Sequence, residues 1–334
     1  MKNQLVQVSN DQNKMFAPFA SNFQSAGHGD ILAANDANFD GSFLSEPLQD
    51  YLVGQEDPED LGAVLEGLAP AVPVGRSFSF LSADSKEQFQ SDSGDDGDVR
   101  EIGGEFKQIK RTGTQTDSRT DNKGLTMVLD SDQGGDDPAV QQRAVINLRN
   151  RLFRSELRRV IALADANDTA ASSVNWGPAN TTADPDKDIL DLLESSGDAR
   201  GIDSNLLVFG GTFIRRLTAL RSKAFAGAFA TGALNLQQLA DFFQVEKVVN
   251  LKTRYQSSAT AKSKILSADV FTWYGRRGAM KDDPSNIKRF VTGGDLKVYV
   301  EKRLKRTFVS VEHYSRIVCT STLGIYKLPT TYTA

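Results

Sequence analysis

Arginine is concentrated in one stretch near the middle of the chain, DDPAVQQRAVINLRNRLFRSELRRVIALADAND, which holds six arginines between Arg143 and Arg159. Arg151, Arg154 and Arg158 recur every three or four residues, so a helix would place them on one face. A guanidinium group stays charged and presents a planar set of donors that matches phosphate and carboxylate groups. These three arginines are therefore the first candidates for binding chemistry.

Three kinds of partner suit this arginine face. Glu156 and Asp165 lie close by in the chain and would neutralise part of its charge. Nucleic acid phosphate is one partner, because it attracts guanidinium groups. A neighbouring subunit or plain solvent are the other two, and the spacing of the arginines is compatible with all three.

A second candidate site is the turn VFGG, in which Gly210 and Gly211 follow a predicted strand and precede a predicted helix. Backbone amides at a helix start attract anions, so such a turn can hold a phosphate. The third glycine of a dinucleotide fingerprint is missing, as are the Lys and Ser or Thr of a P-loop. A tight turn from strand to helix explains the two glycines equally well.

A third candidate is the acidic stretch SDSGDDGDVRE, residues 91–101, whose four aspartates could offer oxygen ligands to calcium. The spacing does not fit the helix-loop-helix calcium pattern, because Gly94 and Gly103 stand where that pattern needs ligands. We therefore predict an exposed loop tip and no metal site.

The residues that most active sites use are scarce. The two histidines, His28 and His313, are far apart, and a single cysteine, Cys319, excludes an internal disulfide and fits a reducing compartment. No GxSxG, HExxH or CxxC motif occurs. We predict no catalytic residue, no cofactor and no enzyme activity; a nucleotide-binding α/β enzyme that uses Gly210 and Gly211 is the alternative from another class.

Charge is divided unevenly along the chain. Residues 1–140 hold 25 acidic and 10 basic side chains, a balance of −15, whereas residues 141–334 hold 18 acidic and 29 basic, a balance of +11. Such asymmetry indicates a partner for each part, and one possibility is that the acidic part of one copy lies on the basic part of the next. Solvated surfaces, or one part folded onto the other, are the alternatives.

Length and hydropathy exclude some classes of protein. With 334 residues and 39% hydrophobic side chains, the chain can bury a core and is long enough for about two domains. No run of eighteen apolar residues occurs, and the start lacks the order of a signal peptide. We expect a cytoplasmic protein.

The first 45 residues predict an arm rather than a domain. They are rich in Asn, Ala, Ser and Gly, and five phenylalanines are scattered among them without a sustained period. Too few apolar residues are present for a core, yet isolated aromatic rings suit a segment that docks on another surface. We expect this arm to order on assembly.

The next elements predict a helix followed by a hairpin. The stretch EDPEDLGAVLEGL favours a short helix with Asp57 as its cap and Pro58 in its first turn. Phe78 and Phe80 alternate with serines as on one face of a strand, and a returning strand, GLTMVLD, is expected to pair with them. The residues between are too poor in apolar side chains to stand alone, so the hairpin needs a neighbour.

The central arginine-rich stretch predicts one long helix. Asp137 is a plausible cap and Pro138 suits the first turn. Residues 138–166 would span roughly 44 Å, which is longer than one small domain needs. Apolar side chains recur every three or four residues along one face, namely Val145, Leu148, Leu152, Phe153, Leu157, Val160, Ile161 and Ala164.

From about residue 167 the pattern becomes α/β. Helices are predicted in DPDKDILDLLESSGD, TFIRRLTALRS and LNLQQLADFF, and strands in NLLVFGG, VEKVVN and DVFTWYG. The last part alternates with period two, as in Val309, Val311 and His313, so the chain is expected to close with antiparallel strands.

Taken in this order, the chain resembles the major capsid proteins of tailed bacteriophages, which have the Hong Kong 97-type fold. The most similar stretches are VREIGGEFKQIK, NWG, NLLVFGGTFIRRL, YGRRGAMKDDPSNIKRF and KRTFVSVEHYSRIVCTSTLGIYKL. None is a short catalytic signature, so the specificity lies in their order, which covers nearly the whole chain.

The resemblance implies an α+β fold with an N-terminal arm, an extended β-hairpin E-loop, a long spine helix, an α/β axial domain and a peripheral β-sheet. By this likeness residues 1–70 are the arm, 71–135 the E-loop, 136–166 the spine helix of the peripheral domain, 167–290 the axial domain and 291–334 the peripheral strands.

The resemblance also implies a structural role. Copies would assemble as hexamers and pentamers into an icosahedral shell around double-stranded DNA, formed in the host cytoplasm and retained as the virion capsid. The implied partners are further copies of the chain, a scaffolding protein, a portal, decoration proteins and DNA bound without sequence specificity, with no membrane. Phe78, Phe80, Arg151, Arg154 and Arg158 are the candidates for subunit-interface or DNA-facing residues.

Two departures from the family pattern matter. No long charged leader precedes the arm, and Met1 favours a separate scaffolding protein over a cleaved leader. Covalent cross-linking is not carried over, because no lysine and asparagine pair can be placed. An encapsulin-like compartment that packages an enzyme is the alternative with the same fold.

Overall fold

The computed structural model describes residues 44–54, 59–82, 100, 102–106, 114–177, 180, 182–222, 234–276, 278 and 280–333. The predictions for the phenylalanines and histidine of residues 1–43, for the helix start at Asp57 and Pro58, and for the aspartates of residues 91–99 lie outside the described residues.

Helices and strands both contribute to the described part, which is a mixed α and β structure. The helices are α1 (Glu46–Gly54), α2 (Leu61–Leu68), α3 (Pro138–Ala166), α4 (Pro185–Arg200), α5 (Thr212–Ser222) and α6 (Leu236–Phe242), with a short 3-10 helix at Ser131–Gln133.

The strands in the first half of the chain are short apart from β4. They are β1 (Ala71–Pro73), β2 (Ser77–Leu81), β3 (Gln115–Arg119), β4 (Asp121–Asp130), β5 (Thr169–Ala170) and β6 (Val174–Asn175). Those in the second half are β7 (Leu206–Phe209), β8 (Lys247–Asn250), β9 (Arg254–Gln256), β10 (Lys262–Lys264), β11 (Asp269–Trp273), β12 (Ile287–Arg303), β13 (Arg306–Cys319) and β14 (Tyr326–Thr331).

The strands form four sheets. A four-stranded sheet has the order β1-β12-β13-β4, and a six-stranded sheet has the order β5-β14-β11-β7-β8 with β6 beside β14. Two small sheets pair β9 with β10 and β2 with β3. Only two residues separate β12 from β13, a connection that antiparallel strands alone can make. β14 is antiparallel to β11 as well, so the predicted antiparallel closing strands are confirmed.

The chain divides into two compact units. The first consists of residues 1–55, 125–148 and 296–312, and the second of residues 56–124, 149–295 and 313–334. Buried apolar side chains of the first unit include Leu48, Leu52, Val145, Val298 and Val309. In that unit the hydroxyl of Tyr299 donates to Glu312 Oε1 at 2.9 Å.

The second unit has apolar cores on both faces of its six-stranded sheet. Leu206 and Val208 of β7 belong to a core that also contains residues of α2 and α3, whereas Leu207 and Phe209 belong to a core with residues of α4 and α6. All four side chains are at most 2% exposed. Alternate residues of one strand thus serve opposite layers, and the α/β arrangement predicted for this region is present.

Helix α2 belongs to the core of the second unit. Leu61, Leu65 and Leu68 are fully buried, and the indole Nε1 of Trp273 donates to the carbonyl oxygen of Leu68 at 3.2 Å. The predicted helix is confirmed, but it starts after Asp60, which has a φ of 47° and makes no side-chain cap bond. Its burial differs from the expectation of an arm that reaches residue 70.

The hairpin pairs with a different strand from the predicted one. β2 pairs with β3 in antiparallel register, with Phe78 opposite Ser118 and Phe80 opposite Thr116. The predicted partner around Leu125 lies instead in β4, next to β13. The pairing prediction was wrong because β3, QTDSR, is polar on both faces and carries no hydrophobic alternation to reveal it.

The long helix α3 runs from Pro138 to Ala166 as predicted. The carboxylate of Asp137 accepts a hydrogen bond from the backbone amide of Ala139 at 2.9 Å, so Asp137 caps the helix start as expected. The predicted apolar face is buried apart from Phe153, which is partly buried against the core.

Candidate functional site

The candidate site lies in the second unit, on the face of α3 that carries the predicted arginines. Arg151 and Arg158 are exposed and Arg154 is half-buried. They occupy positions i, i+3 and i+7, and the intervening Leu152 and Leu157 point into buried surroundings. The periodicity of the helix therefore separates the charged face from the apolar one.

Arg158 is held by an aromatic ring. Its guanidinium carbon lies 4.0 Å from the centroid of the Tyr255 ring, which is well inside the range of a cation–π contact. Tyr255 is the middle residue of β9, which pairs with β10 in antiparallel register. The ring fixes where this charge sits without neutralising it.

Arg154 is partly neutralised within the chain. Its Nη2 lies 2.9 Å from Oε1 of Glu59, and the two side chains are 31% and 46% exposed. An ion pair so exposed contributes little to stability, because solvent screens it. It sets the position of Arg154 and leaves most of the local positive charge in place.

α3 and the β9–β10 hairpin enclose a groove with a volume of about 760 Å³. We call it the basic groove, and its lining residues are Glu59, Arg151, Arg154, Ser155, Arg158, Lys252, Arg254, Tyr255, Gln256 and Lys262. Six of these ten side chains are cationic and one is anionic. Such a concentration of one sign of charge raises the local concentration of anions.

Most of these cations have no acidic partner within the described residues. Arg151, Lys252, Arg254 and Lys262 are exposed and take part in none of the ion pairs found there. Among the described residues, no ion pair neutralises these four charges.

Glu156 is fully buried, although the sequence predicted it beside the surface arginines as a neutralising group. Nζ of Lys123 lies 2.9 and 3.2 Å from its two carboxylate oxygens, and Arg159 also binds it. Glu156 therefore anchors α3 to β4 and leaves the basic groove cationic.

The pKa values around Glu156 reflect burial and these contacts. Burial acts to raise the pKa of Glu156, but the charge and hydrogen bond of Lys123, followed by His313 and Arg159, hold it below its usual value. Burial lowers the pKa of Lys123, which Glu156 only partly offsets. Each group thus offsets part of the desolvation of the other.

His313 of β13 adds a neutral group to this cluster. Its Nε2 lies 4.0 Å from Oε1 of Glu156, and within the described residues neither ring nitrogen has a hydrogen-bond partner. Burial lowers its pKa to about 4, more than Glu156 raises it, while Lys123, Arg289 and Arg159 add to the lowering. The ring is uncharged at neutral pH.

Phe78 and Phe80 are placed inside the chain. They are 9% and 6% exposed, and their ring centroids lie 4.4 and 5.7 Å from that of Phe290. Val72, Val74 and Val318 also belong to this cluster. The burial differs from the expectation that these rings face another copy, because β12 already covers them.

Gly210 and Gly211 form a turn that another segment of the chain fills. A Cβ on Gly210 would lie 2.0 Å from the carbonyl oxygen of Leu266, and one on Gly211 would lie 2.5 Å from that of Ser267. The backbone amide of Gly211 donates to the carbonyl of Leu266 at 3.2 Å. The glycines thus permit close backbone packing, and the amide expected to hold a phosphate is already bonded.

The remaining candidates have structural roles. Cys319 is partly buried, its Sγ donates to the carbonyl of Ser321, and burial raises its pKa to about 11. Across the described ranges no group of three or more His, Cys, Asp or Glu side chains is placed to hold a metal ion. No helix within those ranges is long and apolar enough to cross a membrane.

Half of the basic groove was not predicted from the sequence. Lys252, Arg254 and Lys262 belong to LKTRYQSSATAKSK, a stretch with four cations in fourteen residues that could have been read as a second basic segment. Nothing in the sequence places this stretch beside α3, since about 100 residues separate them. The three predicted arginines do line one groove together.

Comparison with known proteins supports the fold. No protein-family model and no curated protein matches the sequence. A phage-related protein from Bordetella bronchiseptica RB50 superposes with a TM-score of 0.63 at 14% identity, covering 86% of this chain and 97% of that one. A chain of Microbacterium phage Oxtober96 gives 0.52 at 11% identity, covering 83% and 92%.

A capsid chain of the cyanophage P-SCSP1u covers 80% of this chain and 88% of its own length at 12% identity, with a TM-score of 0.45 that is too low to support an argument. The fold is shared with phage proteins, in agreement with the predicted resemblance, and at these identities the likeness concerns the fold alone.

Proposed function

We propose that this chain is the major capsid protein of a tailed bacteriophage, which assembles as hexamers and pentamers into an icosahedral shell around double-stranded DNA. The fold shared with the Bordetella phage-related protein over nearly the full length of both chains is the observation that carries this proposal. The role is structural and requires no catalytic residue.

Several described elements fit the parts of such a subunit. We assign α3 as the spine helix, the paired β2 and β3 as the stem of the E-loop, and the α/β layers of the second unit as the axial domain. β12 and β13 would be the peripheral strands. Because α2 is buried, we restrict the proposed arm to residues 1–45.

The proposal is tested by assembly. The full-length chain, expressed alone and together with candidate scaffolding proteins, should give closed polyhedral particles in electron micrographs. A chain that stays a monodisperse monomer under all these conditions would overturn the proposal. A variant lacking residues 1–45 is the matched comparison, and we expect it to remain soluble without forming closed shells.

The contents of the particles separate the two shell functions. Genome-length DNA in particles purified from a producing host supports the phage capsid, whereas a co-purifying enzyme supports an encapsulin-like compartment. Titration calorimetry with ATP and NAD tests the nucleotide-binding enzyme, for which we expect no heat because the Gly210–Gly211 turn is filled by residues 266–267.

A further inference from the structure

We propose that the basic groove binds the phosphate backbone of a nucleic acid strand without sequence specificity. The groove is defined by α3 on one side and by the β9–β10 hairpin with Lys252 on the other. It deepens the proposed function, since it gives an enclosed nucleic acid a specific contact site, but the binding itself does not require a shell.

The charges in the groove match a row of phosphates. Arg151, Arg154 and Arg158 step along α3 at intervals of roughly 5 Å, because three or four residues of a helix advance by that distance. Across the groove, Lys252, Arg254 and Lys262 add three further cations. Guanidinium groups bind phosphate oxygens in pairs, so a groove with four arginines is suited to an extended polyanion.

The volume and openness of the site suit a short stretch of one strand. A cavity of about 760 Å³ lies within the range that proteins use for ligands of drug size. It therefore accommodates a few linked phosphates and sugars, while the bulk of a duplex would stay outside.

The lining favours phosphate over a segment of protein. Aliphatic side chains are absent from the ten residues that line the groove, and two of its members are lysines. The buried centre of a protein interface is enriched in arginine and aromatic residues, but it is depleted in lysine and in charged residues as a whole, whereas six of these ten side chains are cationic. Tyr255 could supply such a contact, but Arg158 already covers one face of its ring.

The residues that line the groove also explain why binding should not depend on the base sequence of the nucleic acid. The one carboxamide of the lining, Gln256, already donates its Nε2 to the carbonyl of Ala259 at 3.0 Å, and Glu59 is engaged with Arg154. The remaining polar groups are cations and hydroxyls, which suit the phosphates and sugars of the backbone. Phosphate contacts position a strand and carry no sequence information directly.

The test measures binding of a fluorescent single strand of about 20 nucleotides to the full-length chain by anisotropy, over a range of salt concentrations. The groove variant is Arg151→Gln with Lys252→Gln. The control is Arg143→Gln with Lys302→Gln. It also removes one arginine and one lysine charge, but from exposed positions outside the groove. All four side chains are exposed, so each variant should keep the thermal unfolding midpoint of the parent.

We expect the groove variant to bind about tenfold more weakly at low salt, and the slope of log K against log salt to fall by about 1.4. Two unrelated sequences should give the same affinities, and the control should match the parent. Equal losses of affinity in both variants would show that binding follows the net charge of the protein and would overturn the proposal. An undetectable affinity of the parent would overturn it as well.

A synthetic peptide covering residues 84–105 tests the alternative of contact with an acidic segment of another copy. If the groove variant loses affinity for this peptide, and the oligonucleotide does not displace the peptide from the parent chain, the groove is a protein interface and the proposal fails. Shell formation is scored separately, by microscopy. Closed shells with groove-independent oligonucleotide binding refute this inference alone, whereas groove-dependent binding without shells refutes the capsid assignment alone.

Discussion

The guanidinium of Arg158 lies over the ring of Tyr255 at 4.0 Å, which links the long helix α3 to the β9–β10 hairpin across the basic groove. An aromatic ring attracts a cation without donating a negative charge. The contact therefore orients Arg158 and leaves its charge for a ligand, which an ion pair in the same place would not do.

Replacing Tyr255 tests this positioning. Tyr255→Leu should weaken oligonucleotide binding two- to threefold and lower the free energy of unfolding by about 0.5–1 kcal/mol, the usual range of an exposed cation–π contact. Tyr255→Phe keeps the ring and should behave like the parent. Anisotropy and urea unfolding provide the two measurements. If Phe and Leu have the same effect, the hydroxyl and not the ring face holds Arg158.

The buried carboxylate of Glu156 offers a second test. Glu156→Gln leaves the buried Lys123 without its counter-charge, and we expect a loss of about 3–5 kcal/mol in the free energy of unfolding. Glu194→Gln on the exposed face of α4 should change stability by less than about 0.5 kcal/mol. Combining Glu156→Gln with Lys123→Met should cost less than the sum of the two single changes. Additive costs would show that the two groups do not stabilise each other.

The pKa of His313 predicts a pH dependence of stability. Its folded pKa of about 4 lies below the usual 6.5, so between these values the unfolded chain takes up a proton that the folded chain does not. Stability contributed by the neutral ring is present above pH 6.5 and is lost as the pH falls towards 4, by up to about 3 kcal/mol.

His313→Gln should flatten the dependence of unfolding free energy on pH between about 6.5 and 4.5. Glu156 does not interfere in this window, because its pKa is lowered from 4.5 and its contribution is lost only at lower pH. An unchanged slope in the His313 variant would refute the assignment.

Replacement of Gly210 is predicted to lower the stability of the fold, because a side chain there would collide with the backbone. Gly210→Ala forces a Cβ to within 2.0 Å of the carbonyl oxygen of Leu266, so the backbone must shift, and we expect a loss of about 2–3 kcal/mol. Gly54→Ala has no heavy atom within 4 Å of the new Cβ and should remain within about 0.5 kcal/mol of the parent. Thermal unfolding of both variants distinguishes packing from general intolerance of the added methyl group.

The phenylalanine cluster is expected to hold the β2–β3 pair. Phe80→Ala removes a ring that stacks on Phe290, and amide exchange should accelerate in β2 and β3 while α4 is unaffected. Phe242→Ala, at a ring that is 41% exposed, should leave the β2–β3 amides protected. Equal protection of these amides in both variants would show that backbone pairing alone holds the strands.

Local sequence patterns predicted the elements whose signals lie within one segment. The start of α3 at Pro138 follows from Asp137 and the proline, and its buried face follows from the spacing of apolar residues such as Leu157 and Val160. The alternation at Val309 and Val311 likewise predicted which side chains of β13 are buried. In each case, neighbouring residues of one helix or strand are enough to predict the element and its buried face.

Pairings between distant segments were the part that the sequence did not reveal. The polar strand β3 pairs with β2, although the apolar alternation of β4 made it the more obvious partner. Glu156 was expected among the surface arginines, yet Lys123 and Ser315 make its burial possible. Half of the basic groove was not predicted for the same reason. The cations of β9 and β10 form a groove only because the fold brings them next to the arginines of α3.

The contacts of the Glu156 carboxylate join segments of the chain that are synthesised at different times. One of its partners, Lys123, is synthesised 33 residues earlier, but Ser315 follows 159 residues later. A nascent chain that has not yet emerged as far as β13 lacks the hydrogen bond from Ser315 and the neighbouring His313. The surroundings of Glu156 are therefore complete only after β13 has been synthesised.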